Sequence, residues 1–460
     1  MSQTHLLEKL AEMKRFFDSG ATRPYAFRKQ QLKLLKAALQ KHEQLLYDAL
    51  YTDLKKNPEE VWVTEAGFLM TALDHALKSL RTWMAPEKVS TNLVNFPSSS
   101  YVLYEPLGVV LIIAPWNYPL QLLLAPLIGV IAAGNCAVLK PSELAPATAA
   151  AMRKLIQEIF PEQYVLYAEG DGAEVVPAMM NHFRFDHVFY TGGINTGRNI
   201  YRMAAEQLVP VTLELGGKSP AVVEADANIR VAARRIAVTK FSNAGQMCVA
   251  PDYVLVHASK KEQLVQEIIK AIVSFYTKDP SSDYHYGKII NEKQFTRLVG
   301  YLNQGHVTFG GRYDAQKLYI EPTILENVSP DSPVMKEEIF GPILPVLSFN
   351  SMEEAKEIVR QNPNPLAFYV YTSSAAIEKA WLESVPFGGG CVNNCSWHFT
   401  NQHLPFGGRG NSGMGQYHGR YSFELFSHRK GIMKSPTWFD PAIKYPPFKG
   451  KLKLFKWLVR

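Results

Sequence analysis

Residues 106–140 read PLGVVLIIAPWNYPLQLLLAPLIGVIAAGNCAVLK and carry no charged side chain before Lys140. The stretch is long enough to imitate a membrane span, but Pro115, Asn117, Pro119, Gln121 and Pro126 interrupt it. A span would have to satisfy every backbone polar group inside lipid. A buried strand over Val109–Ile113, a turn, a buried helix over Leu120–Ala133 and a second strand over Ala137–Leu139 fit the pattern better. The same alternation continues outward. Helices are expected over Ala147–Phe160, Val175–Asn181 and Thr196–Glu206, and strands over Tyr164–Tyr167, His187–Tyr190 and Val211–Leu213. Short apolar strands separated by helices are the sequence form of a parallel sheet covered on both faces, hence an α/β fold.

Before this block, Leu6, Leu7, Leu10 and Met13 recur at helical spacing, as do Leu32, Leu35, Ala38 and Leu39. Pro86 ends that region, and Val89–Tyr104 reads as an extended hairpin. After it, a second α/β pattern runs from Ser219 to about Phe399, punctuated by Gly388–Gly390 and Gly407–Gly415. The 460 residues, 47% hydrophobic and 20% charged, suit two or three domains with sizeable cores.

The net charge of +7 is misleading, because Lys444, Lys449, Lys451, Lys453, Lys456 and Arg460 supply six of it in a segment without acids. The body is near neutral, which argues against a nucleic-acid binder. Four cysteines, Cys136, Cys248, Cys391 and Cys395, are too few for a disulfide scaffold and wrongly spaced for zinc, so no metal is expected. Reduced thiols and an N-terminus without a signal peptide suggest a cytoplasmic protein.

Several residues invite a chemical reading. Gly192-Gly193-Ile194-Asn195-Thr196-Gly197 follows a strand and opens a helix, where free N–H groups suit a phosphate, although a plain strand–helix turn fits as well. Arg198 and Asn199 stand where a P-loop needs Lys and Ser or Thr. Cys248 in Gly245-Gln246-Met247-Cys248 is either a packing thiol or a nucleophile. His257 is near it only in sequence, so no Cys–His protease is built. Glu214, at the end of its expected strand before Gly216-Gly217, turns either inward or to solvent. The same choice holds for Glu338, and Asn117 could simply stabilise a turn.

Taken together and in order, seven segments resemble the aldehyde dehydrogenase superfamily. They are Pro115-Trp116-Asn117, Lys140-Pro141-Ser142-Glu143, Thr191-Gly192 with Gly197, Glu214-Leu215-Gly216-Gly217-Lys218, Gly245-Gln246-Met247-Cys248, Glu338-Ile339-Phe340-Gly341-Pro342 and Leu404-Pro405-Phe406-Gly407-Gly408. Cys248-Val249-Ala250-Pro251-Asp252-Tyr253 and Tyr417-His418-Gly419 are most similar to the class 3 branch, which acts on medium- and long-chain aliphatic or aromatic aldehydes and is usually dimeric.

The resemblance implies a Rossmann-type cofactor domain over 1–87 and 108–215, an α/β catalytic domain over 216–398, a small β oligomerisation arm over 88–107 and 399–427, and a basic tail over 428–460. It implies oxidation of an aldehyde to its acid with NAD, NADP being possible. Cys248 would attack the carbonyl carbon, Asn117 would bind the oxyanion, hydride would pass to the nicotinamide, and Glu214 would activate water to hydrolyse the thioester. Trp116, Gly192 and Gly197 would frame the dinucleotide. Lys140 and Glu143 would hold the adenosine ribose, and Glu338 and Phe340 the nicotinamide end. Gly193 stands where the family often has Ser, and Asn394 where many relatives have Asp. Cys391 and Cys395 are expected to be spectators. The rival readings are a CoA-acylating aldehyde dehydrogenase, which generally lacks the counterpart of Glu214, and a non-catalytic binding relative.

In the tail, Phe448, Leu452, Phe455 and Val459 share helical spacing, with Lys449, Lys453, Lys456 and Arg460 one step round. Such a helix is too short to cross a bilayer. It either packs on the protein or a dimer partner, or makes weak, peripheral contact with an anionic membrane.

Overall fold

A computed structural model describes residues 3–277 and 279–459. Five parallel strands form the core of the first domain, in the order Val165–Tyr167, Cys136–Lys140, Val109–Ile113, His187–Gly192, Val211–Leu215. In chain order this is 3-2-1-4-5, the doubly wound arrangement whose direction of winding reverses between Val109–Ile113 and His187–Gly192. A cleft is expected beyond the carboxyl ends of those two strands, where Ala114–Asn117 and Gly192–Gly193 emerge.

The charge-free stretch becomes the helix Pro119–Ala133, all of whose residues are buried. No helix among the described residues is long and apolar enough to cross a membrane. The N-terminal helices Gln3–Asp18, Tyr25–Lys41, Glu43–Leu54 and Gly67–Trp83 help to cover this domain, and Leu10, Met13, Leu32 and Leu35 are buried as their spacing predicts. The helix starts at Ile194 rather than Thr196, and Gly193 is its N-cap residue.

The second domain holds a seven-stranded sheet in the order His306–Phe309, Thr323–Glu326, Ile343–Phe349, Tyr253–His257, Pro220–Val223, Ala367–Tyr371, Gly389–Val392, parallel except at its first pair. Its strands keep the α/β pattern expected from Ser219 onward.

Two expectations need correction. The strand expected to stop at Leu213 runs to Leu215, so Glu214 lies inside it, with Gly413 paired beside it. Residues 399–427 do not form part of a β arm. Gly413–Met414 adds an antiparallel edge to the first sheet, and the helix Gly419–Leu425 packs on Pro119–Ala133. The small antiparallel sheet consists instead of Glu87–Val89, Ser99–Pro106 and Ser427–Lys434, so the basic tail begins after Lys434 rather than at 428. Sequence periodicity missed that last strand because its charged residues make it read as solvated tail. The expected hairpin over Val89–Tyr104 is real, with a short helical turn at Leu93–Asn95 between its strands.

Within the first sheet His187 is buried, its Nε2 2.9 Å from Thr212 Oγ1 on the next strand. Burial lowers its pKa from the ordinary 6.5 to about 4. The folded chain therefore refuses a proton that the unfolded chain accepts. Stability is intact above the unfolded pKa and is lost as pH falls from there toward the folded one. Urea unfolding at pH 7 and pH 4.5 should show His187→Gln losing about 2.5 kcal/mol less than the unchanged protein over that interval. Equal losses in both would mean that His187 is protonated in the fold.

Candidate active site

Cys248 follows the helix Ile229–Phe241 through a tight turn in which Asn243 and Ala244 take left-handed backbone angles (φ 49° and 50°). Gly245 continues the turn at φ 75°, and a Cβ there would lie 2.2 Å from Gly341 O. Only glycine fits such a close approach. Gln246, fully buried, locks the loop. Its Nε2 donates to Asn243 O (3.0 Å) and Lys288 O (2.9 Å), and its Oε1 accepts from Ile290 N (3.0 Å). On the far side, Tyr369 Oη donates to Val249 O at 2.5 Å. The thiol is thus held by loop geometry and carried on no regular element.

Asn117 leaves the carboxyl end of Val109–Ile113 and meets this loop. Its Nδ2 donates to Gln246 O at 3.0 Å, and its carbonyl accepts from Asn243 Nδ2 at 2.9 Å. One amide N–H is thereby used and the other is left to donate elsewhere. Glu214 is buried, and neither carboxylate oxygen has a hydrogen-bond partner among the described residues. Burial pushes its pKa well above the usual carboxylate range. A buried carboxyl with nothing to bond is costly unless it has a task.

Glu338 lies over Gly216, where a Cβ would sit 1.7 Å from its Oε2. Burial first, and Asp252 second, raise the Glu338 pKa to about 8. Arg297 fixes its backbone by donating to Glu338 O (3.2 Å) and Ile339 O (2.7 Å). The Phe340 ring stands edge-on to Trp116 at 5.3 Å.

Trp116, Asn117, Gly192, Glu214, Cys248, Glu338 and Phe340 line one cavity of about 610 Å³. Its remaining wall is largely apolar, with Val63, Leu122, Trp397, Phe399, Phe406 and Tyr417. Lys140, Glu143 and Gly197 do not line it. Lys140 Nζ and Glu143 Oε2 are 2.9 Å apart beyond the end of the neighbouring strand, and Gly197 packs the helix onto Leu215. Cys391 and Cys395 also stay outside it; Cys395 Sγ lies 2.9 Å from Tyr371 Oη, and Asn394 Oδ1 accepts from Cys395 N.

The residues present suit a dinucleotide. The N-terminus of Ile194–Glu206 has no side-chain cap, and a Cβ at Gly193 would meet nothing within 4 Å. Free N–H groups and open space are what a pyrophosphate needs. The parts that sequence reading passed over are Gln246 as the latch of the loop, Arg297, and the aromatic wall. Gln246 stood in a quoted motif with no role. Arg297 had no local signal at all.

A thiol, an amide and an orphaned carboxyl thus line one cavity, at a cleft whose residues suit a dinucleotide. The chain belongs to the aldehyde dehydrogenase family, whose sequence profile matches residues 2–432. Enzymes of that family oxidise aldehydes to acids with NAD(P). It is 46% identical to a 4,4'-diaponeurosporen-aldehyde dehydrogenase of Staphylococcus aureus over 98% of both chains. It is 43% identical to aldehyde dehydrogenase family 3 member H1 of Arabidopsis thaliana, over 98% of this chain and 94% of that one. The substrate-bound structure of Staphylococcus aureus AldH superposes with a TM-score of 0.97 at 45% identity, covering 99% of each chain. An indole-3-acetaldehyde dehydrogenase in complex with NAD+ superposes at 0.86 with 28% identity, covering 94% of this chain and 89% of that one. The class 3 resemblance read from the motifs agrees with these relatives.

Burial, then the charges of Glu338 and Glu214, raise the Cys248 pKa to about 12. In the cofactor-free protein, alkylation of Cys248 by iodoacetamide should be slow at neutral pH and still rising at pH 9. Glu338→Gln should speed it at pH 9 by less than about tenfold, since burial is the larger cause. Alkylation at pH 7.5 as fast as that of a free thiol would show that the loop exposes an ionised sulfur.

Proposed function

We propose that this enzyme oxidises apolar aldehydes, medium- or long-chain aliphatic or aromatic, through a thioester on Cys248 that Glu214 hydrolyses. The observation that carries the reading is the unpartnered, buried carboxyl of Glu214 on the same cavity wall as the Cys248 thiol. An aldehyde has no leaving group, so a thiol must first convert it into an adduct from which hydride can depart. Asn117, already anchored to the nucleophile's loop, offers its second N–H to the oxyanion, a contact of the kind worth about 3 kcal/mol of barrier. The bound nicotinamide supplies the hydride acceptor. Glu214, whose burial favours the neutral carboxyl, serves as base for water once it ionises.

The apolar wall supports the substrate class. The names of the relatives agree with it, one referring to 4,4'-diaponeurosporen-aldehyde and another to indole-3-acetaldehyde. For the cofactor, Trp116, Phe340 and Glu338 would serve the nicotinamide end, Gly192 the pyrophosphate turn with Gly197 seating the helix behind it, and Lys140 with Glu143 the adenosine ribose. Glu143 favours NAD by repelling a 2′-phosphate. Its pairing with Lys140 softens that repulsion, which leaves NADP acceptable.

Cys248→Ala should abolish aldehyde-dependent NADH formation without loss of NAD binding. Glu214→Gln should release one equivalent of NADH per site and then stall, with the acyl group found on Cys248 by intact mass. Steady turnover by Glu214→Gln would reject hydrolysis by Glu214. Turnover that requires coenzyme A in the unchanged enzyme would favour the acylating reading.

We further propose a homodimer formed through the small antiparallel sheet. Ser427–Lys434 is one edge of that sheet, and its hairpin exposes Leu93 and Phe96 at 70% and 66%. The tail supports weak membrane contact. Leu452–Leu458 is helical, and Phe448, Leu452 and Val459 lie exposed rather than packed on the body, beside exposed Lys449, Lys453 and Lys456. Arg460, the last of the expected basic stripe, lies outside the described residues. Cosedimentation with anionic vesicles at low salt should retain the full chain and lose one ending at Tyr445, and added salt should release the bound fraction. Equal retention of both forms, or none of either, would remove the membrane reading.

A further inference from the structure

The loop that carries Asn117 rests on two charges with no access to water. Lys56 and Glu65 are both fully buried, with Lys56 Nζ 2.7 Å from Glu65 Oε1. Taking both ions out of water costs solvation that their mutual attraction does not fully return. Such a pair adds little stability over an apolar filling, so its reason must lie in what the two ions hold.

The contacts answer that question. Lys56 Nζ also donates to the carbonyl of Asn117 at 3.0 Å and stands 3.6 Å from the centre of the Tyr118 ring. Glu65 Oε2 accepts from Leu120 N (3.0 Å) and Gln121 N (3.1 Å), the first free N–H groups of the helix Pro119–Ala133. One ion pair therefore grips the residue before the helix, the ring beside it and the helix start. Glu65 is brought into place by a π-helical turn, Trp62–Ala66, an element that recurs at functional positions. Gly67 closes the turn onto Trp62 O, and a Cβ there would lie 2.6 Å from that oxygen.

We propose that the buried Lys56–Glu65 pair is the positioning element of the oxyanion site, holding the Asn117 carbonyl so that its amide meets the adduct formed on Cys248. This rests on the reading of Asn117 as oxyanion donor. Asn117 is gripped from two sides, by Lys56 at its carbonyl and by the Cys248 loop, where Asn243 Nδ2 donates to that same carbonyl and Gln246 O accepts from its amide. Oxyanion stabilisation depends on donors that do not reorganise during the reaction. Loss of the Lys56 contact leaves Asn117 tied only to the Cys248 loop, through Asn243 and Gln246, with nothing to fix it against the helix Pro119–Ala133.

The test is a cycle in the full-length enzyme. Lys56→Met with Glu65→Gln removes both charges and the link to Asn117, while the glutamine oxygen still accepts from Leu120 and Gln121. This change is made in the unaltered background and in Asn117→Ala. Three quantities are measured: melting temperature, the Kd for NAD+ by fluorescence quenching, and the rate constant of the NADH burst. The expected result is a folded protein whose Kd changes by less than about twofold and whose burst slows about tenfold or more in the unaltered background only. In Asn117→Ala the same change should move the burst by less than about twofold. An unchanged burst in the unaltered background, or an equal loss in both, overturns the proposal. If Asn117→Ala alone leaves the burst intact, the oxyanion reading itself falls. Should the charge-free pair fail to fold, Gly67→Ala displaces Glu65 through the π turn and is judged by the same two backgrounds.

Discussion

A helix that is apolar on every side must have its polar ends satisfied inside the protein, and the helix Pro119–Ala133 sets that condition for this molecule. All of its residues are buried, so water can serve neither terminus. At its start the Glu65 carboxylate takes two N–H groups. At its end the buried Arg28 guanidinium donates to Ala132 O at 3.1 Å, and Gly134 takes the left-handed angle that closes the helix. The N-terminal helices and the turn between two of them supply Arg28, Glu65 and Lys56 from outside the sheet. Gly129 lets the helix Gly419–Leu425 approach, since a Cβ there would sit 2.6 Å from Ser422 Cβ. Covering this one helix thus draws in the beginning and the end of the chain.

The same constraint shapes the chemistry. The turn leading into the buried helix must hold still, and Asn117 sits on that turn. Cys248 comes from the other domain on a loop whose fixed point, Gln246, bonds to the same turn. The Asn117 amide and the Cys248 thiol are therefore registered to each other across the two sheets' loops. Around them the electrostatics favour neutral groups at rest. Burial raises the pKa values of Glu214, Glu338 and the Cys248 thiol together.

Much of the site could be read in the linear chain because its parts stand at strand ends and in glycine-rich turns. Trp116, Asn117, Gly192, Glu214, Cys248, Glu338 and Phe340, scattered over more than two hundred residues, line one cavity. Lys56 and Glu65 were not legible. A lysine and a glutamate in a helical region look solvated, since both are almost never fully buried unless paired. The strand Ser427–Lys434 was hidden for a related reason. Its charged side chains mask a backbone that is bonded to Ser99–Pro106.

By itself the sequence determined the alternation of strand and helix, the burial of the charge-free stretch, and most of the polar residues that line the cavity. Those features follow from local periodicity and from residue chemistry, which act over a few positions. Only the tertiary structure decided that Glu214 lines the cavity with no partner among the described residues, that Gln246 joins the Cys248 loop to Asn117, and that the buried Lys56 and Glu65 hold the turn before the helix Pro119–Ala133. Each of these depends on groups distant in the chain meeting where water is excluded. The energy of a buried charge or an unpaired donor is set by that environment and not by the residue alone.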